Sequence, residues 1–276
     1  MITLLEVLTK GTSYLEGKGV ESARLNMELI VAHCLQVSRM QLYLQFDKPL
    51  EDKALVEIRS ALKARGERKP LQHILGSVEF CGHEFLTDSR ALVPRPETEE
   101  ITDYLIKMGF PLPCRVLDLC CGSGVMGLSL KKALGEQVEL VMADISEDAL
   151  SLCRENAEKL NVEAEVVQTD VFSNVSGVFD LIVCNPPYIA ADFAIAPEVA
   201  HDPHQALFSG EDGLDLIRRI VPEATQHLVS GGLLVMEIGF DQGAIVEDLL
   251  RANGYQNILL KSDIDNIPRF PIARWK

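Results

Sequence analysis

The chain has 276 residues, 47% of them hydrophobic and none in a low-complexity tract, which argues against disorder and leaves room for an enzyme domain plus a smaller partner. With 26 Lys and Arg against 41 Asp and Glu, the formal charge is −15, the opposite of the basic footprint a duplex binder needs. The longest apolar runs, Val178–Cys184 and Leu233–Ile238, are strand-sized, and Met1–Glu6 has no basic leader, so neither a membrane span nor a signal peptide is read and a cytoplasmic protein is expected.

Residues 1–76 read as a small α-helical bundle. Glu21–Gln36 brings Leu25, Leu29, Ala32, Cys34 and Leu35 onto one apolar face, and Glu51–Arg65 carries Leu55, Ile58 and Leu62 at helical spacing. Pro49 and Pro70 punctuate these segments. Residues 77–92 read as a β-hairpin linker, two short strands within Val78–Leu86 around Gly82. The segment 93–276 opens with Val93-Pro94-Arg95-Pro96-Glu97-Thr98-Glu99, an extended approach leading into an acidic first helical turn at Glu97 or Thr98. Strands are then predicted at 115–119, 138–143, 164–168, 180–184, 232–238, 255–260 and 272–275, and helices at 125–134, 146–160, 214–228 and 242–252. This alternation specifies an α/β domain with a seven-stranded, mostly parallel sheet.

Cys34, Cys81, Cys114, Cys120, Cys121, Cys153 and Cys184 are odd in number and show no Cys-x-x-Cys or Cys/His ligand spacing, so neither a disulfide framework nor a metal site is expected. Cys120-Cys121-Gly122-Ser123-Gly124 follows the first predicted sheet strand and precedes a helix. Gly122 and Gly124 let the backbone turn tightly against a ligand, and the helix start presents free N–H groups. Asp144 ends the next strand, where a carboxylate can accept both hydroxyls of a ribose; the competing role is a helix N-cap. The loop lacks the third glycine of the dinucleotide fingerprint, and no Gly-x-x-x-x-Gly-Lys-Ser/Thr phosphate loop occurs. Asp170 and Phe172 follow the third strand, offering a carboxylate for an exocyclic amine and a ring for an adenine face, with core packing the alternative for Phe172. These features favour S-adenosylmethionine, with Cys120, Cys121, Gly122, Ser123, Gly124, Asp144, Asp170, Phe172 and Asn185 as its candidate pocket.

Phe179-Asp180-Leu181-Ile182-Val183-Cys184-Asn185-Pro186-Pro187-Tyr188 carries the chemistry. An apolar strand stops at two prolines, which can continue neither a helix nor a central strand and so hold a fixed loop. An amide nitrogen is a poor nucleophile, and methyl transfer from a sulfonium leaves positive charge on it. The Asn185 side-chain oxygen and the Pro186 carbonyl are two acceptors able to hold two N–H bonds and stabilise that charge. Pro187 restricts Pro186 to an extended conformation, and Tyr188 offers a flat face for a planar group. Asn185, Pro186 and Tyr188 are thus the candidate catalytic residues, and Asn185, Pro186, Pro187 and Tyr188 the candidate substrate contacts. A rigid turn with Asn185 capping a strand end is the competing interpretation.

In these residues the chain resembles the protein-(glutamine-N5) methyltransferases that modify the Gly-Gly-Gln loop of class 1 peptide chain release factors. The likeness runs in order through Pro70-Leu71-Gln72-His73-Ile74-Leu75-Gly76, Phe80 and Phe85, Val93–Glu99, the glycine loop, Asn185–Tyr188, Asp202-Pro203, Ala206-Leu207, Gly210 and Asp212-Gly213-Leu214. The family usually has Asp-Leu-Gly-Thr-Gly-Ser-Gly where this chain has Asp118-Leu119-Cys120-Cys121-Gly122-Ser123-Gly124. The resemblance implies a class I Rossmann-like methyltransferase domain, a helical domain at 1–76 that helps dock the release factor, and an Asn-Pro-Pro-Tyr motif gripping the glutamine amide. The acidic balance leads to no direct nucleic-acid partner being expected and the short apolar runs to no membrane partner, and a monomer is expected. Two other readings remain: an adenine-N6 methyltransferase, which uses the same motif, and a non-catalytic S-adenosylmethionine-binding adaptor with a pocket eroded at Cys120-Cys121. Arg95 and Glu97 are expected either to line the domain junction and the cofactor entrance or to pair with each other on the surface; His201 and His204 are expected in solvent.

Overall fold

The computed structural model describes residues 2–276, which form two compact units. The first contains α1 (Leu4–Gly17), α2 (Ala23–Leu35), α3 (Arg39–Tyr43), α4 (Asp52–Gly66) and α5 (Leu71–Leu75). A capping box starts α1: Thr3 Oγ1 accepts the Glu6 N–H, and Glu6 Oε2 accepts the Thr3 N–H. Leu4, Leu8 and Leu15 of α1 pack with Met27 and Val31 of α2 and Leu55 and Ile58 of α4. The buried stripe of α2 is Ala23, Met27, Ile30 and Val31, while Leu25 is 39% exposed. Of the predicted face, Ala32 joins this core and Cys34 and Leu35 pack against it, but Leu25 does not. This helix is apolar on most sides, so its sequence offers several stripes and packing against α1 and α4 selects one.

Residues 195–201 also belong to this unit. Glu198 receives Arg65 Nη2 at 2.9 Å and two bonds of 2.7 Å from Arg68, while Asn26 Oδ1 accepts Arg65 Nε at 2.7 Å. Burial alone would raise the Glu198 carboxyl, but the Arg68 and Arg65 hydrogen bonds outweigh it and hold the group at about 2. A carboxyl lowered from about 4.5 contributes stability that is complete above the ordinary carboxylate range and fades as pH falls towards about 2. Glu198→Gln is thus expected to unfold at lower urea than wild type at pH 7, with the gap closing in acid. A gap independent of pH in melts followed by circular dichroism would contradict this pairing.

In the second unit β1 (Ser77–Phe80) and β2 (His83–Leu86) form the expected hairpin, and Cys81 and Gly82 both take positive φ (48° and 74°) in its two-residue turn. Next come α6 (Pro96–Met108), β3 (Cys114–Leu119), α7 (Val125–Leu134), β4 (Val138–Asp144), α8 (Glu147–Leu160), β5 (Glu165–Gln168) and β6 (Phe179–Cys184). The chain closes with α9 (Asp215–Ala224), β7 (Leu228–Met236), α10 (Gly243–Ala252), β8 (Gln256–Ser262) and β9 (Pro268–Arg274). The seven-stranded sheet has the order β5-β4-β3-β6-β7-β9-β8 and is parallel except that β9 runs antiparallel to both neighbours. Alternate residues face opposite sides: Val116, Met142, Leu181 and Val235 meet α6, α7 and α8, whereas Leu117, Val141, Ile182 and Leu234 meet α9 and α10. Burial on both faces explains why these strands read as continuous apolar runs. The helix predicted to reach Leu228 ends at Ala224, because Leu228 pairs with Phe179 in the sheet. Among the described residues no helix is long and apolar enough to cross a membrane.

Candidate active site

Parallel strands deliver their carboxyl ends to one edge of a sheet, where open α/β domains bind ligands. Here that edge carries the 120–124 loop after β3, Asp144 at the end of β4, Asn185 after β6 and Glu237 after β7. A cleft opens there, and Asp118, Gly122, Asp144, Asn185 and Pro187 all line it. Cys120, Cys121 and Ser123 line it too, as do Arg90 and Leu216, so sequence segments up to 126 residues apart meet at one site.

The loop is held by carboxylates. Asp144 Oδ2 accepts the Gly122 N–H at 2.9 Å and Oδ1 accepts the Ser146 N–H at 2.9 Å. Ser146, not Asp144, caps α8, accepting the Ala149 N–H. Each Asp144 oxygen retains acceptor capacity towards the cleft. Gly124 takes φ 85°, and a Cβ there would lie 2.8 Å from Cys153 Sγ. Cys120 takes φ 57°, so it adopts the left-handed conformation that glycine adopts without strain. All four nearby thiols are free, with that of Cys120 beside Cys184 and that of Cys121 beside Cys153. Burial, then the Cys120 contact, pushes the Cys184 thiol up; the Cys153 contact, then burial, does so for Cys121. Protonated thiols are poor nucleophiles and metal ligands, and no His/Cys/Asp/Glu group suited to a metal ion occurs among the described residues.

A second groove shares Cys120, Asp144 and Pro187 with the cleft and adds Thr169, Asp170 and Val171. Asp170 is present but paired with Arg219 at 3.0 Å, both side chains about half exposed. Phe172 is not at the wall. It is 5% exposed and stacks on His227 with ring centroids 4.6 Å apart. Val171 takes φ 51°, and Val171 rather than the ring of Phe172 lines the groove. The core-packing alternative for Phe172 is the one the geometry supports.

The Asn-Pro-Pro-Tyr loop is tied to two residues that the sequence reading missed. Asn185 Nδ2 donates to Thr98 Oγ1 at 3.1 Å, and Thr98 Oγ1 donates to Glu237 Oε2 at 2.6 Å. Tyr188 Oη donates to Glu237 Oε1 at 3.1 Å. Pro187 lines the cleft while Pro186 is buried, and Tyr188 is about half-buried. Burial, then the Glu237 charge, raises the Tyr188 hydroxyl, which stays a donor. Glu237 is 1% exposed, and its burial raises the carboxyl against the hydrogen bonds from Thr98 and Tyr188. The Tyr188 carbonyl accepts Gln242 Nε2 at 2.9 Å. Glu237 was legible in one respect: a carboxylate directly after the apolar run Leu233–Met236 is rarely buried without partners. Arg95 lines the cleft and donates to Asp202 at 2.6 Å rather than pairing with Glu97. His201 and His204 are exposed as expected.

Asp118 is fully buried beneath the loop, and burial pushes its carboxyl up to about 7, with the Asp144 charge adding and the Gly127 N–H (2.8 Å) opposing. A cationic ligand in this cleft favours the ionised carboxyl, so its affinity should fall as pH drops through about 7, by up to roughly ten-fold per unit. Calorimetric Kd values for S-adenosylmethionine from pH 6 to 8 should show this trend, and Asp118→Asn should flatten it. An equally steep profile in the variant would remove Asp118 from the binding equilibrium.

Residues 6–76 match the PrmC N-terminal domain and residues 102–210 the Methyltransferase small domain. A release factor glutamine methyltransferase from Deinococcus radiodurans is 39% identical over 98% of both chains, and one from Geobacter sulfurreducens is 38% identical over 97% of this chain and 95% of that one. Among solved structures, the 16S rRNA N2 G1207 methyltransferase of Thermus thermophilus, in complex with AdoMet and guanosine, superposes with TM-score 0.53 at 20% identity, covering 72% of this chain and 50% of the other. The ribosomal protein L11 methylase of Lactobacillus delbrueckii gives 0.50 at 23% identity, covering 66% and 81%. These two share the methyltransferase fold, whereas the first two share the whole chain. The chain belongs to the release factor glutamine methyltransferase family.

Proposed function

We infer that the chain transfers a methyl group from S-adenosylmethionine to the side-chain amide nitrogen of the glutamine in the Gly-Gly-Gln motif of class 1 release factors. The observation that carries this reading is that Asn185 lines the same cleft as the Gly122 loop and Asp144, with its Nδ2 already occupied by Thr98. Gly122, Ser123, Asp144 and the Asp118 carboxyl fit a cofactor with a ribose and a cationic end. When bound, S-adenosylmethionine supplies an electrophilic methyl on a sulfonium.

Asn185 Oδ1 and the Pro186 carbonyl accept the two N–H bonds of the glutamine amide. Holding both N–H bonds in the amide plane leaves the nitrogen lone pair perpendicular to it, available to the methyl. Charge developing on that nitrogen is stabilised by the same two oxygens. The N-methylated amide then sheds one proton to water, so no strong base is needed. Residues 1–76 serve to dock the release factor, and the enzyme works as a cytoplasmic monomer. Labelled-methyl assays run in parallel on a release factor and on adenine-bearing oligonucleotides test the acceptor: label is expected on the protein alone, and label on the oligonucleotide would favour the adenine reading.

A further inference from the structure

The three residues Asn185, Thr98 and Glu237 form a chain whose proton directions are fixed from one end. Hydroxyls of Thr98 and Tyr188 donate to the two oxygens of Glu237 and favour its ionised form against the burial that opposes it, and in that form the carboxylate is an acceptor only. The 2.6 Å from Thr98 Oγ1 to Glu237 Oε2 is the length of a hydroxyl donating to a carboxylate. With its single proton pointed at Glu237, Thr98 can offer only a lone pair to its other partner, the Asn185 amide at 3.1 Å. The amide therefore turns its NH₂ to Thr98, and Oδ1 is left as its free group. Rotating the amide by half a turn would set Asn185 Oδ1 against the Thr98 lone pairs, two acceptors facing each other in a part-buried site, an arrangement that leaves both unsatisfied. Glu237 sits 139 residues from Thr98 and 49 from Tyr188 in sequence, and both of its oxygens are used.

We propose that Glu237, acting through the Thr98 hydroxyl, is a positioning residue that fixes which end of the Asn185 amide meets the acceptor substrate. This rests on the reading of Asn185 as the group holding the glutamine amide. It makes the site selective for acceptors that present N–H rather than a lone pair, because the oxygen of Asn185 is held out and its nitrogen is held back.

Substituting Thr98 separates hydroxyl from shape. Thr98→Val keeps the volume and loses the hydroxyl; Thr98→Ser keeps the hydroxyl and loses the methyl. With release factor as acceptor, Thr98→Val is expected to lower kcat roughly 10- to 100-fold while the S-adenosylmethionine Kd stays within about two-fold, and Thr98→Ser is expected to restore kcat to within a few-fold of wild type. Near wild-type turnover in Thr98→Val, or equal impairment in Thr98→Ser, overturns the inference. Should Thr98→Val not fold, Glu237→Gln decides. A glutamine can present its NH₂ to Thr98 and reverse the chain, so a kcat loss with unchanged cofactor Kd is expected, and unchanged kcat overturns the inference. Wild-type enzyme in the same assay separates the claims: no transfer by wild type refutes the glutamine reading itself, whereas transfer by wild type and by Thr98→Val alike refutes this inference alone.

Discussion

Asn185→Ala is expected to turn over roughly 10²–10³-fold more slowly than wild type, the loss that follows removal of one preorganised charge-stabilising group, while its S-adenosylmethionine affinity changes by less than about three-fold. The split follows from position. Asp144 and the Gly122 loop, the proposed cofactor end of the cleft, are joined by hydrogen bonds in which Asn185 has no part. In the proposed site Asn185 supplies the acceptor that meets the substrate, so its truncation should fall on kcat. Folding should be spared as well, since the side chain is half-buried and Thr98, its partner among the described residues, keeps its bond to Glu237. A variant that turns over at the wild-type rate would remove Asn185 from the chemistry.

Gly213→Ala should damage both stability and activity. Gly213 takes φ 76°, and a Cβ there would lie 2.1 Å from the Tyr188 carbonyl oxygen and 2.8 Å from Gln242 Nε2. No rotamer relieves a clash between Cβ and backbone. The Tyr188 carbonyl would have to leave Gln242, and the loop that carries Asn185 would shift with it. A destabilisation of about 2–4 kcal/mol is expected, from left-handed strain plus the lost packing and hydrogen bond, with kcat falling in parallel. Urea melts and turnover on the purified variant check both, and a melt within about 0.5 kcal/mol of wild type would show that the loop yields without strain.

The parts of this molecule that could be read from sequence are those whose physics is local. Short apolar strands alternating with amphipathic helices specified the sheet, and Gly122, Gly124, Asp144 and Asn185 announced themselves because a tight turn, a strand-end carboxylate and a proline-locked loop each need particular residue types in sequence. Boundaries blurred where a second constraint acted. β9 begins at Pro268, not 272, because Pro268 and Pro271 mask a stretch that pairs with β8 through Ser262–Pro268, Lys261–Phe270 and Leu260–Pro271. Phe172 had the right residue type at the right distance, but the positive φ of Val171 decides which residue faces the groove. Thr98 and Glu237 were invisible as a pair: one reads as a first-turn threonine and the other as a strand-end glutamate, and only the tertiary fold brings them within 2.6 Å. Residues 195–201 joined the helical unit for the same reason, since the attraction of Glu198 for Arg65 and Arg68 spans at least 130 positions.

The most direct measurement is the mass of the Gly-Gly-Gln tryptic peptide of a class 1 release factor after incubation with this enzyme and S-adenosylmethionine. The expected result is a gain of one methyl group, located by fragmentation on the glutamine side chain and abolished when that glutamine is replaced or when Asn185→Ala is used. An unmodified glutamine, under conditions where calorimetry shows the cofactor bound to the wild-type enzyme, would contradict the assignment of the amide nitrogen as the acceptor.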